Sequence, residues 1–168
     1  VGGNTALAAM AYDDDMLALV QENLRGAITV DLPVAAKNGA PFEPLESLSP
    51  APGDEIVVAL VLWNERVGHR FPGGVVDAQD TWVEVRLVDS SGRTHLASGH
   101  AHGESGADES AHQLGALVVD ENGKPALLRE THRFRVTAID NTIPARRAVA
   151  VRYRFIMPGD GGPFTLHA

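Results

Sequence analysis

The chain has 168 residues, so we expect one domain with room for a hydrophobic core. Its net charge is −8, from 14 lysines and arginines against 22 aspartates and glutamates, which argues against nucleic acid as a partner. The chain has no cysteine, which excludes disulfides, thiolate zinc sites and covalent haem attachment within this segment. Its longest apolar run, 56–63, is too short to span a bilayer, so we predict no membrane span.

Residues 1–26 are predicted to form an arm followed by one helix. Asp13 or Asp14 can cap the start of this helix, and Gly26 is suited to follow its end. The apolar face, which we expect to pack on the sheet, consists of Met16, Leu17, Val20 and Leu24. The chain opens without an initiator methionine or a signal peptide, so we expect a mature form or a fragment of a longer protein.

Residues 27–168 are predicted to form one β-sandwich domain. Apolar and polar residues alternate in short segments that are separated by Gly, Pro, Asn and Asp, as in strands joined by turns. Pro33 is expected to stop the first strand, because proline cannot donate a ladder hydrogen bond. The predicted strands are 27–34, 55–64, 80–89, 94–98, 111–119, 129–138, 148–157 and 163–168. The pattern therefore predicts an all-β fold: an antiparallel, immunoglobulin-like β-sandwich of about seven or eight strands with one N-terminal helix.

The loop between the second and third of these strands is the most distinctive stretch of the chain. Pro72 and the Gly73-Gly74 pair are incompatible with a regular strand, and loops of this kind commonly carry functional groups on a rigid scaffold. His69 and Arg70 lie in this loop. We expect its scaffold to be formed by Gly68, Phe71, Pro72, Gly73, Gly74, Asp80 and Trp82.

Two groups of polar residues are candidates for metal binding. His100 and His102 share a predicted loop, and together with Asp77 they offer ligands that suit zinc or another divalent ion. The carboxylates of Asp77 and Asp80 are suited to calcium or to acid–base work. The alternative is that both histidines are solvated and that Asp77 and Asp80 bond their own backbone. His112 is either a core histidine or a ligand, whereas His95 and His132 fall in strand patterns and are expected to be structural. No nucleophile elbow, phosphate loop or metalloprotease motif is present, so we predict that the chain is not an enzyme.

Several of these stretches together resemble one protein family. The run 64–74, then Asp77, Asp80, 82–85 and Ser98-Gly99, is similar to the pattern N-x-x-x-G-H-x-F-P-x-G … D-x-x-D-x-W-V-E-V … S-G. This pattern belongs to the C-terminal domain of multihaem c-type cytochromes related to cytochrome c554. Further similar stretches are Asp108 with His112, the segment 119–123, and the opening 3–7.

The resemblance implies a haem-free β-sandwich cut from a longer cytochrome, because this chain has no C-x-x-C-H motif. It implies an exported electron-transfer protein, periplasmic or extracellular, that carries haem c in the full-length parent. The implied partners are the haem-bearing segments of the same polypeptide and separate redox partner proteins. His69 matches the motif histidine and is the first candidate for a distal haem ligand, with His112 second.

Two other functions remain open at this point. The chain is alternatively a free-standing module that binds a protein or a carbohydrate, although its aromatic content of only 5% counts against this. A weaker alternative is a metal-dependent hydrolase that uses His69, His100, His102 and Asp77.

Overall fold

The computed structural model describes residues 9–74, 79–100, 108–126 and 130–168. Its N-terminal helix, α1, spans Asp14–Leu24 and begins where the Asp13 carboxylate accepts a hydrogen bond from the Met16 backbone N–H at 2.9 Å. Gly26, with φ +67°, follows the helix end, as predicted. No helix in the described ranges is long and apolar enough to cross a membrane.

The predicted apolar face of α1 is only partly covered. Val20 is buried and Leu17 is half-buried, whereas Met16 and Leu24 are exposed. The prediction that the whole face packs on the sheet is therefore wrong, since Val20 supplies its single fully buried side chain.

The described residues form eleven strands. These are β1 Thr29–Lys37, β2 Glu43–Pro44, β3 Glu55–Trp63, β4 Trp82–Val83, β5 Val85–Asp89, β6 Thr94–Ser98, β7 His112–Gln113, β8 Ala116–Val119, β9 Val136–Asp140, β10 Ala148–Ile156 and β11 Phe164–His167. Two short 3-10 helices span Leu45–Ser47 and Thr131–Arg133.

The strands pair antiparallel in several sheets. The largest has the order β10-β3-β1-β2, and the second has the order β11-β5-β6. In the described ranges, β4-β7 and β8-β9 each form a further two-stranded sheet. β3 lies in the interior of the largest sheet because its sequence is almost wholly apolar, and it pairs along its full length with β10.

The core lies between the two larger sheets. Alternate residues of β3 point inward, and Ile56, Val58, Leu60 and Leu62 are each at most 2% exposed. Burying a side chain of this kind contributes about 1.5–3 kcal/mol. Leu166 of β11 packs against the core clusters from the opposite sheet. The fold is thus an all-β sandwich with one N-terminal helix, as predicted, while its immunoglobulin-like character stays a prediction.

Several strand boundaries differ from the expected ones. The predicted strand 80–89 divides at Glu84, and the predicted strand 111–119 divides at 114–115, where Leu114 enters the core. Pro33 does not end the first strand. β1 continues to Lys37 because the register shifts between Asp31 and Val34, and this irregularity accommodates a residue without an N–H.

The predicted strand 129–138 begins only at Val136. The chain before it turns through the 3-10 helix Thr131–Arg133. The prediction that His132 lies in a strand is therefore wrong. Arg133 stabilises this turn, since its guanidinium donates hydrogen bonds to the carboxylates of Asp120 at 2.8 Å and Glu130 at 2.5 Å. These polar contacts, one local and one to a residue 13 positions earlier, override the alternating sequence pattern.

Candidate functional site

The candidate site starts where β3 ends, at Asn64. Asn64 is completely buried, and its side-chain amide donates to the carbonyls of His69 at 2.8 Å and Ile143 at 3.0 Å. Its side-chain oxygen accepts a hydrogen bond from the Val67 backbone N–H at 3.2 Å. A buried amide must have its polar atoms paired, and here the pairing fastens the loop to a distant part of the chain.

Phe71 and Ile143 form a second fastening. Their backbone N–H and carbonyl groups exchange hydrogen bonds of 2.8 and 2.7 Å. The Phe71 side chain packs against the main core cluster, and Pro72 is buried. Gln79 donates from its side-chain amide to the Gly73 carbonyl at 2.6 Å. Residues 64–74 are therefore attached to the rest of the sandwich at Asn64 and at Phe71.

The three glycines of this loop have different structural roles. Gly74 has φ +77°, a conformation that favours glycine. Gly73 lies outside the left-handed region, but a Cβ added there would lie 2.5 Å from two atoms of the His69 ring. At Gly68 an added Cβ would meet nothing within 4 Å. The sequence therefore predicts the scaffold loop, but only the structure separates these three roles.

His69 is exposed, and its ring is oriented by the backbone. The ring Nδ1 lies 2.7 Å from the Arg70 carbonyl oxygen. A carbonyl oxygen only accepts hydrogen bonds, so this contact favours the neutral tautomer that carries its proton on Nδ1 and its lone pair on Nε2. This arrangement is typical of histidines that bind metals through Nε2.

Arg70 joins the loop to the end of β9. Its guanidinium donates to the Asp140 carboxylate at 2.6 Å and to the Thr142 hydroxyl at 3.2 Å. The pKa of Asp140 is below its usual value, chiefly because the Thr142 hydroxyl and backbone N–H donate to it, with Arg70 adding to the effect. No local pattern predicts this pair, since its members are 70 residues apart.

His112 lies in β7, beside β4. It is half-buried and is paired with Val83, while its neighbour Gln113 is paired with Trp82. Burial lowers the pKa of His112, because it disfavours the charged imidazolium. The neutral ring is the form that binds a metal ion.

Trp82 connects this strand pair to the following loop. Its indole N–H donates to the Gly99 carbonyl at 2.7 Å. Gly99 has φ +78°, and an added Cβ would collide with the Val83 carbonyl, so both its conformation and its surroundings require glycine. The backbone N–H of Asn141 donates to the Gly115 carbonyl, close to β7. Two residues later, Ile143 bonds to Phe71, so a short segment connects this region to the loop of His69.

The predicted metal ligands are only partly described. Asp77 and His102 lie outside the described residues, and Asp80 is exposed. The backbone N–H of His100 donates to the Asp108 carboxylate at 2.7 Å. The pKa of Asp108 is lowered to about 2, mainly by the Ser110 hydroxyl. Within the described ranges, no group of three or more His, Cys, Asp or Glu residues is arranged to hold a metal ion.

Asn64 and Ile143 were not among the predicted site residues. Asn64 could have been found, because it is the first polar residue after a strongly apolar strand and opens the quoted motif. Ile143 carries no such signal, since it contacts the loop only through the tertiary fold.

No protein-family model matches this chain. No curated protein matches its sequence significantly. Among solved structures, a crystal structure of a penta-haem cytochrome c552 from Thermochromatium tepidum is similar, with a TM-score of 0.56 over 84% of this chain. The chain shares its fold with part of that cytochrome. The identity is 16%, and the match covers 30% of the cytochrome chain, so the likeness is one of fold over less than a third of that protein.

Proposed function

We propose that this chain is an accessory domain of an exported multihaem cytochrome that takes part in electron transfer. In this proposal the sandwich packs on haem-bearing segments of the same polypeptide and presents His69 as a distal ligand. The fold likeness to a penta-haem cytochrome supports it, as does the motif that the loop of His69 carries. The chain has no cysteine, so haem c would be attached elsewhere in the parent.

The arrangement of His69 is the observation that carries the proposal. An axial ligand must be a neutral imidazole with a free lone pair, and a hydrogen bond from its other nitrogen orients it and raises its basicity. His69 suits this role, because its Nδ1 lies 2.7 Å from the Arg70 carbonyl oxygen, which can only accept a hydrogen bond, and the residue is exposed. The haem would supply the electron-transfer chemistry, while His69 would help to set its reduction potential.

His112 is the second candidate ligand. Its lowered pKa favours the neutral ring, but it is half-buried beside Val83. His69 is the more accessible of the two, and we therefore rank it first.

The outer face of the largest sheet is suited to packing against another segment. Trp63 is 44% exposed at the end of β3, and its direct cross-strand neighbours are Thr29 and Ala148. Directly opposite residues share one face of a sheet, so the exposed tryptophan is flanked by two small side chains that leave its ring accessible. The same surface would serve a free-standing protein-binding module, which is the second candidate function.

The test uses the full-length parent. Visible and EPR spectra of the wild type would be compared with those of His69→Ala, His112→Ala and His167→Ala, the last as an exposed control near the C-terminus. We expect one low-spin bis-histidine haem to become high-spin in His69→Ala alone. If the change occurs instead in His112→Ala, His112 is the ligand and the ranking is wrong.

Two further results would decide between the candidate functions. Unchanged haem spectra in both variants would remove the ligand role and leave a packing domain. A parent gene without C-x-x-C-H motifs or an export signal would overturn the cytochrome proposal and its periplasmic or extracellular location, and would leave the binding module. Trp63→Ala would then test whether a partner of that module binds through the exposed tryptophan.

A further inference from the structure

The ring of His69 lies directly against Gly73. A Cβ added at Gly73 would lie 2.5 Å from His69 Cε1 and Nδ1, and 3.0 Å from the Arg70 carbonyl oxygen. Real Cβ atoms do not approach other atoms as closely as 2.5 Å. Because the backbone of Gly73 lies outside the left-handed region, its conformation does not require glycine. A side chain at this position would instead displace the imidazole from the place that it occupies against Gly73.

The groups around the ring are themselves fixed. The Gly73 carbonyl accepts from the Gln79 side chain at 2.6 Å, and the His69 carbonyl accepts from the buried Asn64 side chain at 2.8 Å. The Arg70 guanidinium is paired with Asp140. The Gly73 carbonyl, the His69 carbonyl and the Arg70 side chain are therefore each held by a polar contact with another residue.

We propose that Gly73 and the Arg70 carbonyl are positioning groups that fix His69 as the Nδ1–H tautomer and so make Nε2 the ligating nitrogen in advance. A free histidine side chain interconverts between its two neutral tautomers, and binding through one nitrogen then requires selection of one form. Here the selection is made by the fold. The inference rests on the proposed function only for the identity of the metal that Nε2 would bind, which is the haem iron of the parent.

Nitrogen NMR of the isolated chain tests this without haem. Long-range proton–nitrogen spectra at about pH 8.5, two units above the usual histidine pKa, report which ring nitrogen is protonated. We expect an excess of about five-fold or more of the Nδ1–H form at His69, as a net favourable hydrogen bond would give. A His69 signal with predominant Nε2–H, or with the same ratio as exposed His167, would overturn the inference.

Substitution of the glycines tests the part played by Gly73. Gly73→Ala should displace the ring and bring the tautomer ratio at His69 to that of His167. Gly68→Ala, where an added Cβ meets nothing within 4 Å, should leave the ratio unchanged. A folded Gly73→Ala variant that keeps the wild-type ratio would overturn the role of Gly73.

A second variant covers the case in which Gly73→Ala does not fold. Gln79 is exposed, and Gln79→Ala removes the hydrogen bond that holds the Gly73 carbonyl. The fraction of His69 in the Nε2–H form should then increase. An unchanged tautomer ratio would contradict the role of Gly73 in positioning the ring. None of these NMR spectra involves haem. The tautomer inference can therefore be refuted while the spectra of the parent still show ligation by His69. Equally, it can hold while the spectra of the parent show no ligation.

Discussion

Replacement of Asn64 should destabilise the whole domain, although Asn64 is a single polar residue at the start of a loop. Asn64→Ala removes three hydrogen bonds from a completely buried position. At about 1 kcal/mol net for each bond, the free energy of unfolding should fall by about 3 kcal/mol. For a domain of this size, that corresponds to a decrease in Tm of about 6–12 °C.

Urea unfolding followed by tryptophan fluorescence would measure this loss, because Trp63 directly precedes the substituted residue. Asn122→Ala is the matched control, since Asn122 is exposed in a turn and should change the free energy of unfolding by less than about 0.5 kcal/mol. A loss below about 1 kcal/mol for Asn64→Ala would show that the side chain does not fasten the loop.

Asn64→Asp tests the same reasoning with almost no change of shape. A carboxylate cannot donate, so it would face the His69 and Ile143 carbonyls without hydrogen bonds in a buried site. We expect a larger loss of stability than for alanine at neutral pH. Burial raises the pKa of such a group, so the loss should shrink as the pH falls and the carboxyl gains a proton that it can donate. A loss that does not depend on pH would contradict this account.

Three further predictions concern the rest of the sandwich. Gly161→Ala should cost about 1–3 kcal/mol in thermal melts, because φ is +94° and an added Cβ would lie 2.6 Å from Asp89, whereas Gly159→Ala meets nothing within 4 Å and should be near neutral. The pKa of Asp89 is held below its usual value, first by the Ser91 hydroxyl, so its contribution to stability is present above about pH 4 and lost as the pH falls further. Asp89→Asn should therefore flatten the decrease in unfolding free energy between about pH 5 and pH 2, and an unchanged slope would contradict it. Trp82→Phe removes one indole hydrogen bond and should lower the free energy of unfolding in urea by about 1 kcal/mol. No measurable change would contradict this prediction.

Local sequence pattern was sufficient where a strand follows its own alternation. Residues 94–98 form β6 as predicted, and β10 begins at Ala148 and shows the expected alternation of half-buried and exposed residues. Pattern failed where tertiary contacts decide. The register shift beside Pro33 depends on the partner strand, and the turn at Arg133 depends on carboxylates contributed in part from a different strand connection.

The candidate site was predictable to a similar degree. Proline and glycine composition predicted an interruption of strand structure at the loop of His69, because these residues restrict backbone conformation in known ways. The contact between Gly73 and the imidazole, and the bond from Nδ1 to Arg70, are properties of three-dimensional arrangement that no spacing encodes. The role of Asp77 stays a prediction, since it lies outside the described residues.

The loop of His69 is continuous with the most deeply buried strand of the sandwich. Its hydrogen bonds join Asn64 at the end of β3 to Ile143, and Ile143 is itself completely buried in the core. Opening the chain at Asn64 and Phe71 would expose this part of the core, so the hydrogen-bonded backbone amides of Val67 and Phe71 should exchange with solvent almost as slowly as those of β3. His69 lies between these two residues, so a change that loosens the domain interior also changes how its exposed ring is held.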